Sequence, residues 1–248
     1  KVDYKSILID TLRTHLSGLR GYDTMVLELI QNADDAKAKE MVFDVKDNGL
    51  KVKNNAKFSY CRKIEDKKCS LKKACDFHSI LAVASGNKAQ DSDNIGRFGI
   101  GFISTYQTTD QPKIISNGLS VVLNPETEKA DSDEIDTIDT TFELPWARNP
   151  NSAIRKALEQ EHIDDKKIEQ FFFDCKSVLN QSLLFLKHLE RIELKRNGLS
   201  KLVVEIKRQG KSPKKKLSIS LMPEKKVEKW IVFDSKVEDS EIHKIYSK

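Results

Sequence analysis

The 248-residue sequence predicts an α/β fold, and three features carry that expectation. Two segments with apolar residues at helical spacing open the chain, two β-prone runs meet at Asn48-Gly49, and further alternating runs follow beyond residue 110. The first helix is expected in "YKSILIDTLRTHLSGLRG", where Ile7, Leu8, Leu12, Leu16 and Leu19 share one face and Gly21 can end the element. The second is expected in "DTMVLELIQNADDAKA", with Asp23 or Thr24 available as N-cap. "EMVFDV" and "LKVKN" flank the turn "KDNG", the strongest local hairpin signal in the chain.

A charged stretch, Tyr60 to Lys73, leads into a helix at "CDFHSILAVAS". The polar segment "GNKAQDSDNIGRFGIGF" then gathers Gly86, Gly96, Gly99 and Gly101, four of the ten glycines, ahead of a short helix at "GFISTYQ". "PKIISNGLSVVLN" and "TTFELPW" read as strands, and the acidic "ETEKADSDEIDTID" between them as a solvated loop. After Pro150 the chain is mostly helical to Leu186. From "RIELKRNG" onward, short runs broken at Asn197-Gly198, Gly210 and Pro213 read as a β-meander. The expected organisation is an α/β domain over 1–150, a helical extension over 151–194 and the β-rich start of a following domain over 195–248.

Hydrophobic residues make up 38% and charged residues 33%, so a core forms only if the charges stay outside. No apolar run approaches the length of a membrane span. The net charge of +5 divides unevenly: residues 1–150 carry 21 basic and 23 acidic side chains, residues 151–248 carry 22 and 15. A basic second part permits an anionic partner without demanding one. Four cysteines in a chain this long suggest a reducing, cytoplasmic setting rather than a disulfide scaffold. The start lacks Met and reads as a piece of a larger polypeptide.

Cys61, Cys69, Cys75 and His78 are separated by 7, 5 and 2 residues, close to a Cys-Cys-Cys-His zinc spacing. Such fingers sit in short, loop-rich units, whereas His78 opens an apolar helix start. The spacing is therefore read as coincidental.

Glu28, Asn32 and Asp35 stand at i, i+4 and i+7 and share one helical face. Alone, that stripe is the wet side of an amphipathic helix. The glycine segment changes its weight. "GRFGIGF" offers unhindered backbone N–H groups just before a helix, which suits phosphate oxygens. Nucleoside triphosphate hydrolysis needs a positioned water, a base beside it, a magnesium ligand and donors around the phosphates. The two motifs together supply these.

"ELIQNADDA" with "IGRFGIGF" resembles the GHKL superfamily, and the sacsin-type branch most closely; the likeness runs from about Met25 to Leu194. The resemblance implies the Bergerat fold, a two-layer α/β sandwich of a mixed sheet packed on helices, holding ATP and Mg²⁺ beneath a lid. It makes Glu28 the general base, Asn32 the magnesium ligand and Asp35 an acid lining the pocket. Gly96, Phe98, Gly99, Ile100, Gly101 and Phe102 match the glycine box around the phosphates, and Lys88 in "SGNK" the lid lysine. Thr140 stands near the expected adenine site, with Asp139 where relatives have Gly. Asn54 occupies the position of the adenine-reading Asp, with Ala56 replacing the Gly that follows. The stretch from Tyr60 to Cys75 reads as an insertion. Lys207 and Arg208 are basic candidates for a phosphate contact that the spacing does not choose between.

The resemblance implies a slowly hydrolysing ATPase module of a chaperone-like or regulatory protein, whose lid closes on nucleotide and drives conformational change. Nucleotide-dependent self-association is left open, and the client or effector is unidentified. A nucleotide-sensing, non-hydrolysing interaction module is the alternative, because an Asn carbonyl accepts the adenine amine without charge assistance. A nucleic-acid platform on the basic second part is less favoured, since its lysines are scattered with few aromatics beside them.

Overall fold

The computed structural model describes residues 4–66, 69–84, 100–127, 129–181, 184, 186–211 and 214–233. Helices α1 (Tyr4–Ser17) and α2 (Asp23–Asp35) precede the hairpin β1 (Glu40–Val45) and β2 (Gly49–Asn54). Then come α3 (Asp76–Ala84), α4 (Ile100–Ile103) with a 3₁₀ turn at Ser104–Gln107, and strands β3 (Lys113–Ser116), β4 (Leu119–Asn124), β5 (Lys129–Glu134) and β6 (Thr140–Pro145). Helices α5 (Ala153–Ala157) and α6 (Asp165–Gln181) lead to β7 (Arg191–Arg196), β8 (Leu199–Lys211), β9 (Lys214–Met222) and β10 (Lys226–Phe233).

All ten strands form one sheet in the order β10-β9-β8-β7-β1-β2-β6-β3-β4-β5. Every pairing is antiparallel except β1 with β7, so the sheet is mixed. Strands β8, β9 and β10 extend this sheet outward from β7, which lies parallel to β1. A parallel neighbour from far along the chain leaves no local trace in sequence.

The side-chain period of two gives the sheet its faces. Met41, Phe43 and Val45 of β1 share a face with Val52 and Leu50 of β2, Phe142 and Leu144 of β6, and Ile192 and Leu194 of β7. That face packs on Met25, Leu29, Ile30 and Ala33 of α2 and on Phe171, Cys175 and Leu179 of α6 in one buried cluster. The opposite face carries Lys51 and Lys113, both ion-paired to Glu143, and Lys53 paired to Asp139. The result is the expected two-layer α/β sandwich. A second cluster joins Leu8, Leu12 and Leu16 of α1 to Ile103, Tyr106, Ile154 and Leu158.

Three local expectations change. The acidic loop contains strand β5, whose six residues are all exposed and which, among the described residues, lies at the sheet edge beside β4. Acidic side chains on an edge strand discourage pairing with another chain. The helix at "GFISTYQ" is one α-turn followed by one 3₁₀ turn. At α2 the cap position is Tyr22, which makes no side-chain cap, while Asp23 lies inside the first turn. Two Asn-Gly pairs behave as turn chemistry demands: Asn117 and Gly118 have φ of 46° and 84° between β3 and β4, and Asn197 and Gly198 have φ of 50° and 80° between β7 and β8.

Candidate functional site

α2 turns Met25, Val26, Leu29, Ile30 and Ala33 into the sandwich, and Asn32 goes in with them at 8% exposure. Among the described residues the Asn32 side-chain amide has no hydrogen-bond partner. One helical turn earlier, Glu28 is half-buried, and burial pushes its carboxyl above the ordinary glutamate range.

Gly101 of α4 lies directly against Glu28. A Cβ built on Gly101 would collide with Glu28 Oε2 and stand 3.0 Å from both Cβ and Cδ of that side chain. Only glycine permits this approach, so the end of the glycine segment and the acid of "ELIQNADDA" meet in space.

The sheet contributes a polar floor. Asn54 ends β2 on the core-facing side, opposite Met41 on one strand and Thr140 on the other. Both are buried, Asn54 at 5% and Thr140 at 1% exposure. Asn54 Oδ1 accepts a hydrogen bond from Ala56 N at 3.0 Å, which turns the chain out of β2. Thr140 Oγ1 donates to Ala56 O at 2.9 Å and lies 2.8 Å from Ser116 Oγ. Ser116 Oγ in turn accepts from Phe58 N at 2.9 Å. Since the Thr140 proton goes to Ala56 O, the Ser116 hydroxyl donates to Thr140. The apolar face of the sheet thus ends in three polar side chains held in one chain of hydrogen bonds. Ser116 was not anticipated, because a serine in a strand carries no distinguishing local signal.

Other expected positions fall elsewhere. Asp35 is exposed and lines a cleft of about 450 Å³ between α2 and α6, shared with Leu27, Gln31 and Lys187. Ile100 opens α4. Phe102 is a core residue, its ring 6.1 Å from Phe142, so only its backbone is available to a ligand. Lys88, Gly96, Phe98 and Gly99 lie outside the described residues. Asp47, of the turn "KDNG", sits at the opposite end of β2 from Asn54, accepting from Arg196 at 2.8 Å and Asn197 at 3.1 Å. Arg208 donates to the carbonyls of Leu186 and Leu189 at 2.9 and 2.8 Å, a structural engagement.

Two further residues hold the site's walls. Beside Asn32, Asp34 accepts from the backbone N–H groups of Lys187, His188 and Leu189 at 2.8, 2.7 and 2.8 Å. Burial alone would raise its pKa; the three donors, with His188 nearby, outweigh that and hold it below the usual carboxylate range. Arg155, 1% exposed, binds Asp110 at 2.6 Å and donates to the carbonyls of Tyr106, Gln107 and Thr109. It pins the chain that follows the glycine segment to α5.

The Sacsin domain family model matches residues 5–138, more than half of the chain. The chain belongs to the Sacsin domain family. This sacsin domain is 26% identical to human Sacsin over 257 aligned positions, covering 80% of the chain and 5% of that protein. It is 35% identical to Protein NO VEIN of Arabidopsis thaliana over 98 positions, covering 38% of the chain and 3% of that protein. The chain therefore spans a small part of the length of these relatives. Among solved structures, the ATPase domain of Aquifex aeolicus MutL bearing a point mutation aligns with a TM-score of 0.42 at 12% identity, over 81% of this chain and 75% of that one. Among the described residues, no helix of the sacsin domain is long and apolar enough to cross a membrane.

Proposed function

We propose that this sacsin domain binds ATP with Mg²⁺ and hydrolyses it slowly, as one module of a longer polypeptide. The observation that carries the reading is the packing of Gly101 against Glu28, with Asn32 buried one turn further along α2 and its side-chain amide without a hydrogen-bond partner among the described residues. The side-chain oxygen of Asn32 fits a hard cation that keeps most of its waters and takes few protein ligands. Magnesium, when bound, neutralises phosphate charge. Glu28, its pKa raised by burial, orients a water and accepts its proton. The backbone from Ile100 onward offers N–H groups at a helix start. Asn54 and Thr140 form a polar floor suited to a base edge. GHKL-type lid closure over Lys88 and the glycine box belongs to the same proposal.

A second reading, nucleotide sensing without turnover, is favoured by one observation. Asn54 commits Oδ1 to Ala56 N, and an amide lacks the charge that strengthens a bond to the adenine amine.

Calorimetry with Mg²⁺ and a non-hydrolysable ATP analogue, alongside phosphate release from ATP, separates the readings. Binding with turnover that disappears in Glu28→Ala, and binding that itself fails in Asn32→Ala, is the expected outcome. Binding without turnover favours sensing, and no binding at all removes both.

A further inference from the structure

The stretch from Asn55 to Cys75 contains no helix or strand among its described residues, and it is dense in charge. Its apolar side chains pack toward the main core: Phe58 and Tyr60 lie on Phe77 of α3 with ring centroids 5.2 and 5.4 Å apart, and Cys61, Ile64 and Cys69 pack beside them. Within this stretch and the first turn of α3, Cys61, Cys69, Cys75 and His78 converge. One ligand atom from each lies within 4.8 Å of all the others. His78 Nδ1 is 3.5 Å from Cys61 Sγ and 3.2 Å from Cys75 Sγ.

A tetrahedral zinc ion has Zn–S bonds of about 2.3 Å and Zn–N bonds of about 2.0–2.1 Å, which place neighbouring donors roughly 3.5–3.8 Å apart. The side chains are thus drawn together at nearly the separation that four ligands of one ion require. The histidine is also set in the appropriate tautomer. Its Nε2 faces the Asp66 carbonyl oxygen at 3.0 Å, an acceptor only, so Nε2 carries the proton and the Nδ1 lone pair points at the thiols. Cys75 N donates to Cys69 Sγ at 3.3 Å, the kind of N–H···S contact that steadies a metal-bound thiolate.

We propose that Cys61, Cys69, Cys75 and His78 form a structural zinc site that clamps this segment onto the start of α3. On this proposal the spacing read above as coincidental has a chemical reason. The helix start at His78 does not compete with ligation; it supplies Cys75 and His78 from adjoining positions of one turn, while Cys61 and Cys69 come from the loop. Three thiolates and an imidazole select zinc over magnesium or calcium. Four protein donors fill a tetrahedral shell and leave no open position for catalysis. An iron–sulfur cluster is disfavoured because its bridging atoms would hold ligands further apart than these stand. The site is independent of the nucleotide reading and stands whether or not ATP binds.

The test is metal analysis of the purified chain by inductively coupled plasma mass spectrometry, followed by chelator removal and refilling with Co²⁺. About one zinc per chain is expected, with intense thiolate-to-cobalt absorption and the visible bands of tetrahedral cobalt. Cys69→Ser should lose most of the zinc, whereas Cys175→Ser, buried in α6 and outside the cluster, should keep it. Should Cys69→Ser fail to fold, the cobalt spectrum of the unaltered chain decides. The proposal is overturned by unaltered protein without zinc and without a tetrahedral cobalt spectrum, by a disulfide among the three cysteines, or by full zinc content in folded Cys69→Ser.

Discussion

Replacing Asp34 with Asn tests how α2 is tied to the far end of the chain. The carboxylate accepts three backbone N–H groups from Lys187, His188 and Leu189, just before β7 enters beside β1. Hydrogen bonds to a charged acceptor contribute about 1.5–3 kcal/mol each, against about 1 kcal/mol for neutral pairs. In Asp34→Asn, Oδ1 retains the His188 and Leu189 bonds in weakened form, while an NH₂ group faces the Lys187 N–H. Losing roughly 1 kcal/mol at each retained bond and about 2 kcal/mol at the third gives a destabilisation of about 4 kcal/mol. For a chain of this size that lowers Tm by roughly 8–16 °C. Urea titration followed by tryptophan fluorescence measures the loss, since Trp146 is buried against Phe171. The pH dependence has a definite sign. The folded pKa is depressed, so the stabilisation is fully present above the ordinary aspartate value of about 3.9 and fades as pH falls through the lowered one. The gap between the two proteins should close below about pH 4. A loss under about 1 kcal/mol, or a gap that does not narrow in acid, would refute the capping role.

Three other outcomes follow from the site. On the proposed function, turnover should fall as pH drops through an apparent pKa above the ordinary glutamate value, because the proposed base role of Glu28 requires its unprotonated form and burial raises its pKa; Glu28→Gln should remove that limb in a stopped phosphate-release assay. Gly101→Ala should displace the Glu28 carboxylate and cut turnover about 100-fold, and adding Glu28→Ala should cost little more; independent, multiplying losses would count against the contact. Arg155→Met removes the ion pair of Asp110, which keeps its Ser152 hydroxyl donor, and strands three carbonyls, so a loss of about 3 kcal/mol and a Tm lower by roughly 6–12 °C are expected in calorimetry, and a shift below about 2 °C would contradict it.

Most of the layer architecture was legible from period and punctuation. The Asn-Gly turns, the alternation in "EMVFDV" and the helical spacing in α2 each depend on a handful of neighbouring residues. The meeting of "ELIQNADDA" with the glycine segment was legible only as chemistry, two motifs that need each other. Nothing local marked Ser116 or Arg155, whose partners lie in other elements.

The sequence by itself determined the elements and the acid–amide stripe, because a helix or hairpin is specified within a few residues. Tertiary structure alone gave Asp34 its partners and left Asp35 on the exposed side of α2. The two are adjacent in sequence but about 100° apart around the helix, and the N–H groups that select Asp34 come from 153 to 155 positions away. The same holds for the cysteines. Their spacing was visible, but only folding the loop onto α3 brings four ligand atoms within 4.8 Å, because convergence depends on the path of the chain and not on intervals along it.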